Sequence, residues 1–116
     1  MPHCVIDYSA DVAEQVDIEA LMAAVHQGAM DSGLFPEYDI KTRASAFDHH
    51  RTGQTRDSFV HVAVHLLDGR NDEQKAALSE AVLARIEPLL PKVVSVGVET
   101  CDIHRASYRK RVLAKR

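Results

Sequence analysis

The chain has 116 residues, 46% hydrophobic and 27% charged, with no tryptophan and a formal net charge of −3. That length supports one domain with a real core but modest stability of its own, so self-association is expected. No apolar run approaches the ~20 residues of a membrane-spanning helix, and no basic-then-apolar start marks a signal peptide.

Residues 2–8 read as a first strand, with Cys4, Ile6 and Tyr8 on one face. A polar connection over 9–16 leads to Asp17, a residue suited to cap a helix. The apolar positions Ile18, Leu21, Met22, Val25 and Ala29 line one face of that helix. Gly33 is a stop signal and Pro36 forbids continuation. From Ile40 to Phe47 a second strand alternates, with Lys41 and Arg43 on the same side. Residues 50–57 are polar and turn at Gly53, and 58–67 give the clearest strand, with Val60, Val62, Val64 and Leu66 alternating. After the loop Asp68-Gly69-Arg70, Asn71 caps a second helix with Gln74 in the capping-box position. Its apolar face is Leu78, Val82, Leu83, Ile86 and Leu90, and Pro88 and Pro91 end it. A last strand covers 93–101, with Val94, Val96 and Val98 in alternation.

The element order is strand, helix, strand, then the same again. Asp17 and Asp72 each open a helix and Pro36 and Pro91 each precede a second strand, both pairs offset by 55 positions. This predicts an α+β fold of two βαβ units, in halves of about 2–50 and 57–101 of a single domain, followed by a basic tail over 105–116. The units build a four-stranded mixed sheet with two helices on one face. Strands within a unit are parallel because the helix supplies the crossover. The opposite face carries Val, Ala and Phe and is expected to bury against other subunits.

Most site chemistries find no support. His61 and His65 share a strand face but stand about 13 Å apart, too far to share a metal ion, and His49 and His50 have no ligand at useful spacing. The five glycines form no phosphate-binding loop. Cys4 and Cys101 share no CxxC spacing, so reduced thiols in a cytoplasmic setting are expected. Cys4 reads as a small buried hydrophobe, with a weaker reading as a nucleophile. The tail holds Arg105, Arg109, Lys110, Arg111, Lys115 and Arg116 without an acid, while all 17 acidic residues precede it. With only Tyr108 to stack on a base, nucleic-acid contact is disfavoured against a subunit-docking strap whose cations face acidic neighbours, and the sequence leaves the tail's role open.

Pro2 is the residue with the sharpest chemical meaning. Removal of Met1 would leave a secondary amine at the mouth of a strand. A terminal amine has an ordinary pKa of ~7.7–8.0, and burial or neighbouring cations lower it toward the range useful for proton abstraction. Lys41, Arg43 and Arg70 are the cations placed to hold an acid, since arginine pairs bidentately with carboxylate.

Taken with Gly33-Leu34-Phe35-Pro36, Ile40-Lys41-Thr42-Arg43 and Phe59-Val60-His61-Val62, the Met1-Pro2-His3 opening and the Gly69-Arg70 loop carry a resemblance. The chain resembles the tautomerase superfamily over about residues 1–100, most nearly the 5-carboxymethyl-2-hydroxymuconate isomerases. The resemblance implies a homotrimer without cofactor or metal, in which Pro2 moves a proton and Arg43 and Arg70 hold substrate carboxylates. Lys41 stands where that family would place an arginine, and it keeps the charge without the fork. The substrate implied is a small di- or tricarboxylate, with no nucleic acid or membrane partner. Two other readings share the fold: a phenylpyruvate-type or other keto–enol acid tautomerase, and a non-catalytic trimeric binding protein.

Overall fold

The computed structural model describes residues 1–113, so Lys115 and Arg116 of the basic tail lie outside the described residues. Strand β1 (His3–Ser9), helix α1 (Ile18–Asp31) and strand β2 (Lys41–Phe47) form the first unit. Strand β3 (Phe59–Leu67), helix α2 (Asp72–Ile86) and strand β4 (Ser95–Ile103) form the second. One sheet contains all four strands in the order β2-β1-β3-β4. Pairing is parallel within each unit and antiparallel between β1 and β3, which makes the sheet mixed.

Local chemistry sets the helix starts as the sequence predicts. The Asp17 side chain accepts from the backbone N–H of Glu19. Asn71 and Gln74 form both halves of a capping box. The core lies between the sheet and the helices. Cys4, Ile6, Val60, Val62, Val64 and Leu66 pack from the sheet, and Leu21, Val25, Leu78, Val82 and Ile86 from the helices, each at most 1% exposed.

Three boundaries differ from the sequence reading. The connection 9–16 contains a 3₁₀ turn, Ala10–Glu14, that buries Val12 completely. Helix α2 stops at Ile86 and passes into a 3₁₀ turn over Glu87–Leu89, where Pro88 fits the first turn because no bond to its missing N–H is needed there. Strand β4 begins two residues late and runs two residues further. Val93 is held in the turn by its N–H to the Leu90 carbonyl, leaving Val94 65% exposed, while β3 pairs onward through Leu67 with Ile103.

The sheet face away from the helices is more polar than the sequence reading supposed. Val5, Ala63, Phe47 and Phe59 are present, but between them stand rows of polar groups. One row is Lys41, His3, His65 and Cys101, and another is Ser45, Asp7, His61 and Gly97. The valines of β3, and Val96 and Val98 of β4, face the helices instead.

The two helices meet at Gly28. A Cβ placed there would lie 2.6 Å from the Val82 Cα and 3.0 Å from the Ala81 carbonyl oxygen, both backbone atoms that cannot swing aside. Gly28→Val therefore forces α1 from α2. The expected cost is about 1–3 kcal/mol, the ordinary range for overpacking, and larger than the helix-propensity advantage of under about 1 kcal/mol that replacing glycine brings. Urea unfolding checks this, and a midpoint at or above that of the parent would contradict it.

Candidate active site

The chain start is fixed by the sheet. The Pro2 carbonyl accepts from the Lys41 N–H at 3.1 Å, which carries the β1–β2 ladder one residue beyond His3. Pro2 is fully buried and Met1 only 7% exposed. The Met1 amine lies 3.8 Å from the Asp39 carboxylate and 3.5 Å from the Asp39 carbonyl oxygen. Asp39 ends the short turn Glu37–Asp39 that precedes β2, and two lysines converge on it: Lys41 Nζ donates to its carbonyl at 3.1 Å and Lys110 Nζ stands 3.8 Å from its carboxylate.

These surroundings hold the terminal amine below its ordinary pKa. Burial is the largest cause, followed by the Lys41 charge; Asp39 pulls the other way and Lys110 adds to the lowering. Desolvation and like charge both disfavour the ammonium form, and here they outweigh one carboxylate.

Met1 lines a cavity of ≈ 300 Å³ together with Leu34, Phe35, Pro36, Asp39, Leu67, Arg70, Arg105 and Lys110. The loop after β3 delivers Arg70. Gly69 has φ +117, a conformation that side-chain-bearing residues rarely adopt, and it turns the chain sharply between Asp68 and Arg70. The Arg70 guanidinium then lies 5.6 Å from the centre of the Phe35 ring and donates to the Leu34 carbonyl at 3.0 Å. A cation held by a ring face and a backbone carbonyl is oriented in advance of any ligand. A larger cavity of ≈ 440 Å³ lies over His49, His50, Arg51, Gln54, Thr55 and Arg56, but neither the chain start nor the predicted cations border it.

The structure thus brings Arg70 to the amine-bearing cleft, with Lys41 beside it through Asp39. Arg43 is placed elsewhere: it is exposed on the open sheet face, its Nη1 3.0 Å from His3 Nδ1. His3 is held below its ordinary pKa by burial, then by Arg43, Lys41, the terminal amine and His65. Cys4 is fully buried and its thiol is pushed up to about 11, chiefly by burial, which removes the thiolate a nucleophile needs. Sequence reasoning missed Asp39, Arg105 and Lys110. The signal for the last two was present, since a cationic tail without acids must find its counter-charges elsewhere in the chain. Lys110 finds Asp39 and Arg105 finds Asp68.

A family profile described as 5-carboxymethyl-2-hydroxymuconate isomerase matches residues 2–98, so the chain belongs to that family. No curated protein matches the chain. Among solved structures, the chain is similar to a 5-carboxymethyl-2-hydroxymuconate isomerase from Deinococcus radiodurans R1, with a TM-score of 0.83 and 20% identity over 95% of this chain and 88% of that one. It is also similar to a 5-carboxymethyl-2-hydroxymuconate delta-isomerase (TM-score 0.78, 18% identity, 98% and 89% covered). A native fused 4-OT aligns with a TM-score of 0.77 and 20% identity over 93% and 91% of the two chains. These likenesses establish a shared fold.

Because Lys41 lowers the amine pKa and Asp39 raises it, substitutions at the two sites should move it in opposite directions. In an NMR titration the amine should titrate below the ordinary ~7.7–8.0, higher in Lys41→Met than in the parent, and lower still in Asp39→Asn. Midpoints that coincide in all three proteins would show that these charges do not reach the amine.

Proposed function

We propose that the chain, freed of Met1, is a cofactor-independent isomerase that ketonises 5-carboxymethyl-2-hydroxymuconate. The observation that carries this reading is the chain start, set at the cleft with Arg70, where burial and then Lys41 hold the amine of Met1, the residue to be removed, below its ordinary pKa. Pro2 is buried directly behind Met1. Cleavage of the Met1–Pro2 bond would convert the Pro2 nitrogen from an amide into a secondary amine facing the space that Met1 now fills.

In this mechanism the neutral Pro2 amine takes the proton of the 2-hydroxyl group. The electron pair of the broken O–H bond becomes the charge of a dienolate, and a guanidinium stabilises its oxygen. Pro2 then returns the proton to the distal carbon of the dienolate, giving the conjugated oxo acid, and the amine is neutral again. Arg70 supplies the guanidinium within the cleft, and Lys41 adds positive charge near it. Arg43, outside its own chain's cleft and on the open sheet face, belongs in this reading to a site at a subunit contact.

A homotrimer fits that placement. The open sheet face carries Val5, Ala63 and Phe59 half-buried and Phe47 42% exposed, apolar surface that an isolated chain leaves partly wet. A fused 4-OT of the same fold is itself a symmetric trimer. The setting proposed is the cytoplasm, in the homoprotocatechuate branch of aromatic acid breakdown. Among the described residues no helix is long and apolar enough to cross a membrane.

Intact mass followed by an ultraviolet assay on the same sample tests the reading. Protein lacking Met1 should ketonise 5-carboxymethyl-2-hydroxymuconate, and Pro2→Ala should lose about 10²–10⁴-fold in kcat, the span associated with a positioned general base. Arg70→Ala should lower kcat/KM by at least about tenfold, since it removes a charge-assisted contact. Turnover of phenylenolpyruvate alone would assign a sister tautomerase. Met1-free protein that turns over neither acid would make the chain a binding protein on this fold.

A further inference from the structure

The residues that follow β4 form a strap across the cleft. The chain turns at Arg105–Ser107, tied by His104 Nδ1 and Ser107 Oγ at 2.8 Å. Arg105 anchors one end: its Nη2 donates to the Asp68 carbonyl at 2.8 Å and its Nε lies 3.5 Å from the Asp68 carboxylate. Its guanidinium passes directly over Gly69, where an added Cβ would lie 3.7 Å from Nη2. Lys110 anchors the other end, 3.8 Å from Asp39. Both side chains border the same ≈ 300 Å³ cavity as Met1 and Arg70.

The charge balance in that cavity is unlike that of the whole chain. The protein carries a net −3, yet among the described residues that border the cavity Arg70, Arg105 and Lys110 stand against one carboxylate, Asp39. Its remaining walls are apolar: Leu34, Phe35, Pro36 and Leu67. Lys110 and Arg105 each meet one carboxylate of the chain, Asp39 at 3.8 Å and Asp68 at 3.5 Å, so a bound acid would share these cations with the chain's own acids while Arg70 meets a carbonyl and a ring. The positions of the three cations on two separate segments, the β3–α2 loop and the strap, suit carboxylates at separate ends of one small molecule. The strap lies beyond residue 98, where the family match ends.

We propose that the strap, residues 105–110, is a carboxylate-recognition element. On this proposal Arg105 and Lys110 select substrates bearing a further carboxylate remote from the enol, while Arg70 holds the reacting end. The assignment rests on the isomerase reading for its substrate, but the binding it describes is measurable without turnover.

The test uses Met1-free protein and calorimetric titration at low ionic strength with two unreactive probes, tricarballylate and butyrate. Tricarballylate should bind at least about tenfold more tightly, the ordinary effect of one further charge-assisted contact, and the double variant Arg105→Gln, Lys110→Gln should lose most of that preference. Lys110→Arg, which keeps the charge, should retain it, and a thermal melt confirms that each variant is folded. In steady-state assays the double variant should lower the ratio of kcat/KM for 5-carboxymethyl-2-hydroxymuconate over phenylenolpyruvate by a similar factor, mainly through KM. A tricarboxylate preference that is absent in the parent, or unchanged in the double variant, overturns the strap assignment. If the preference and its loss are observed but no enol acid turns over, the isomerase reading fails while the recognition element stands.

Discussion

The register of β1 between its two neighbours decides where everything else goes. Because β1 and β2 run parallel, their starts lie side by side, and His3 pairs with Lys41. Because β1 and β3 run antiparallel, the start of β1 also lies beside the end of β3, and His3 pairs with His65. Because β3 and β4 run parallel, the end of β4 arrives there too, with Leu67 opposite Ile103. One end of the sheet therefore gathers the chain start, the turn before β2, the Asp68-Gly69-Arg70 loop and the strap after β4. These segments are far apart in sequence, and no single local motif could have announced their meeting.

That convergence has an electrostatic consequence. Burial, then the charges of Lys41 and Lys110, disfavour the charged form of the Met1 amine. The fold tolerates the arrangement because Asp39 and Asp68 offset part of the cationic field and because the amine can release its proton. The cations that help burial lower the Met1 amine pKa also favour an anion nearby, so on the proposed reading the base and the binding charge share one field. On the proposed reading, an anionic acid bound there would raise the Pro2 amine's basicity, since a nearby negative charge favours the ammonium form.

How much of this was legible in the sequence follows from the range of the forces involved. The helix starts at Asp17 and Asn71, the alternation of β3 and the βαβ order are set by neighbours within a few residues, and the sequence displays them directly. Arg70 was identifiable because a cation after a glycine turn in a strand-to-helix loop is already aimed at a sheet end. Arg43 was harder. Its alternation correctly puts it on the face of Lys41, but whether a long side chain turns toward the cleft or toward His3 depends on β1, forty residues away. Asp39 looked like one acid among 17, and only its place beside the chain start gives it meaning. The polarity of the open sheet face was underestimated because His3, Asp7, His61 and His65 occupy alternate positions in two strands, and each strand alone looks apolar.

The internal repeat sharpens why the chemistry belongs to one end. At the opposite end of the sheet, beside the ends of β1 and β2, lies a smaller cavity of ≈ 250 Å³ bordered by Ala10, Asp11, Phe47, Asp48, His50 and Arg56. Asp57 is the counterpart of Pro2 under the 55-residue offset, and its nitrogen is an internal amide that donates no base. Two carboxylates, Asp11 and Asp48, border this second cavity, where Asp39 alone borders the first. Each end of the sheet thus carries a hollow, and the chain start lies at the first. On the proposed reading the base belongs to the first hollow, which Arg70, Arg105 and Lys110 also border.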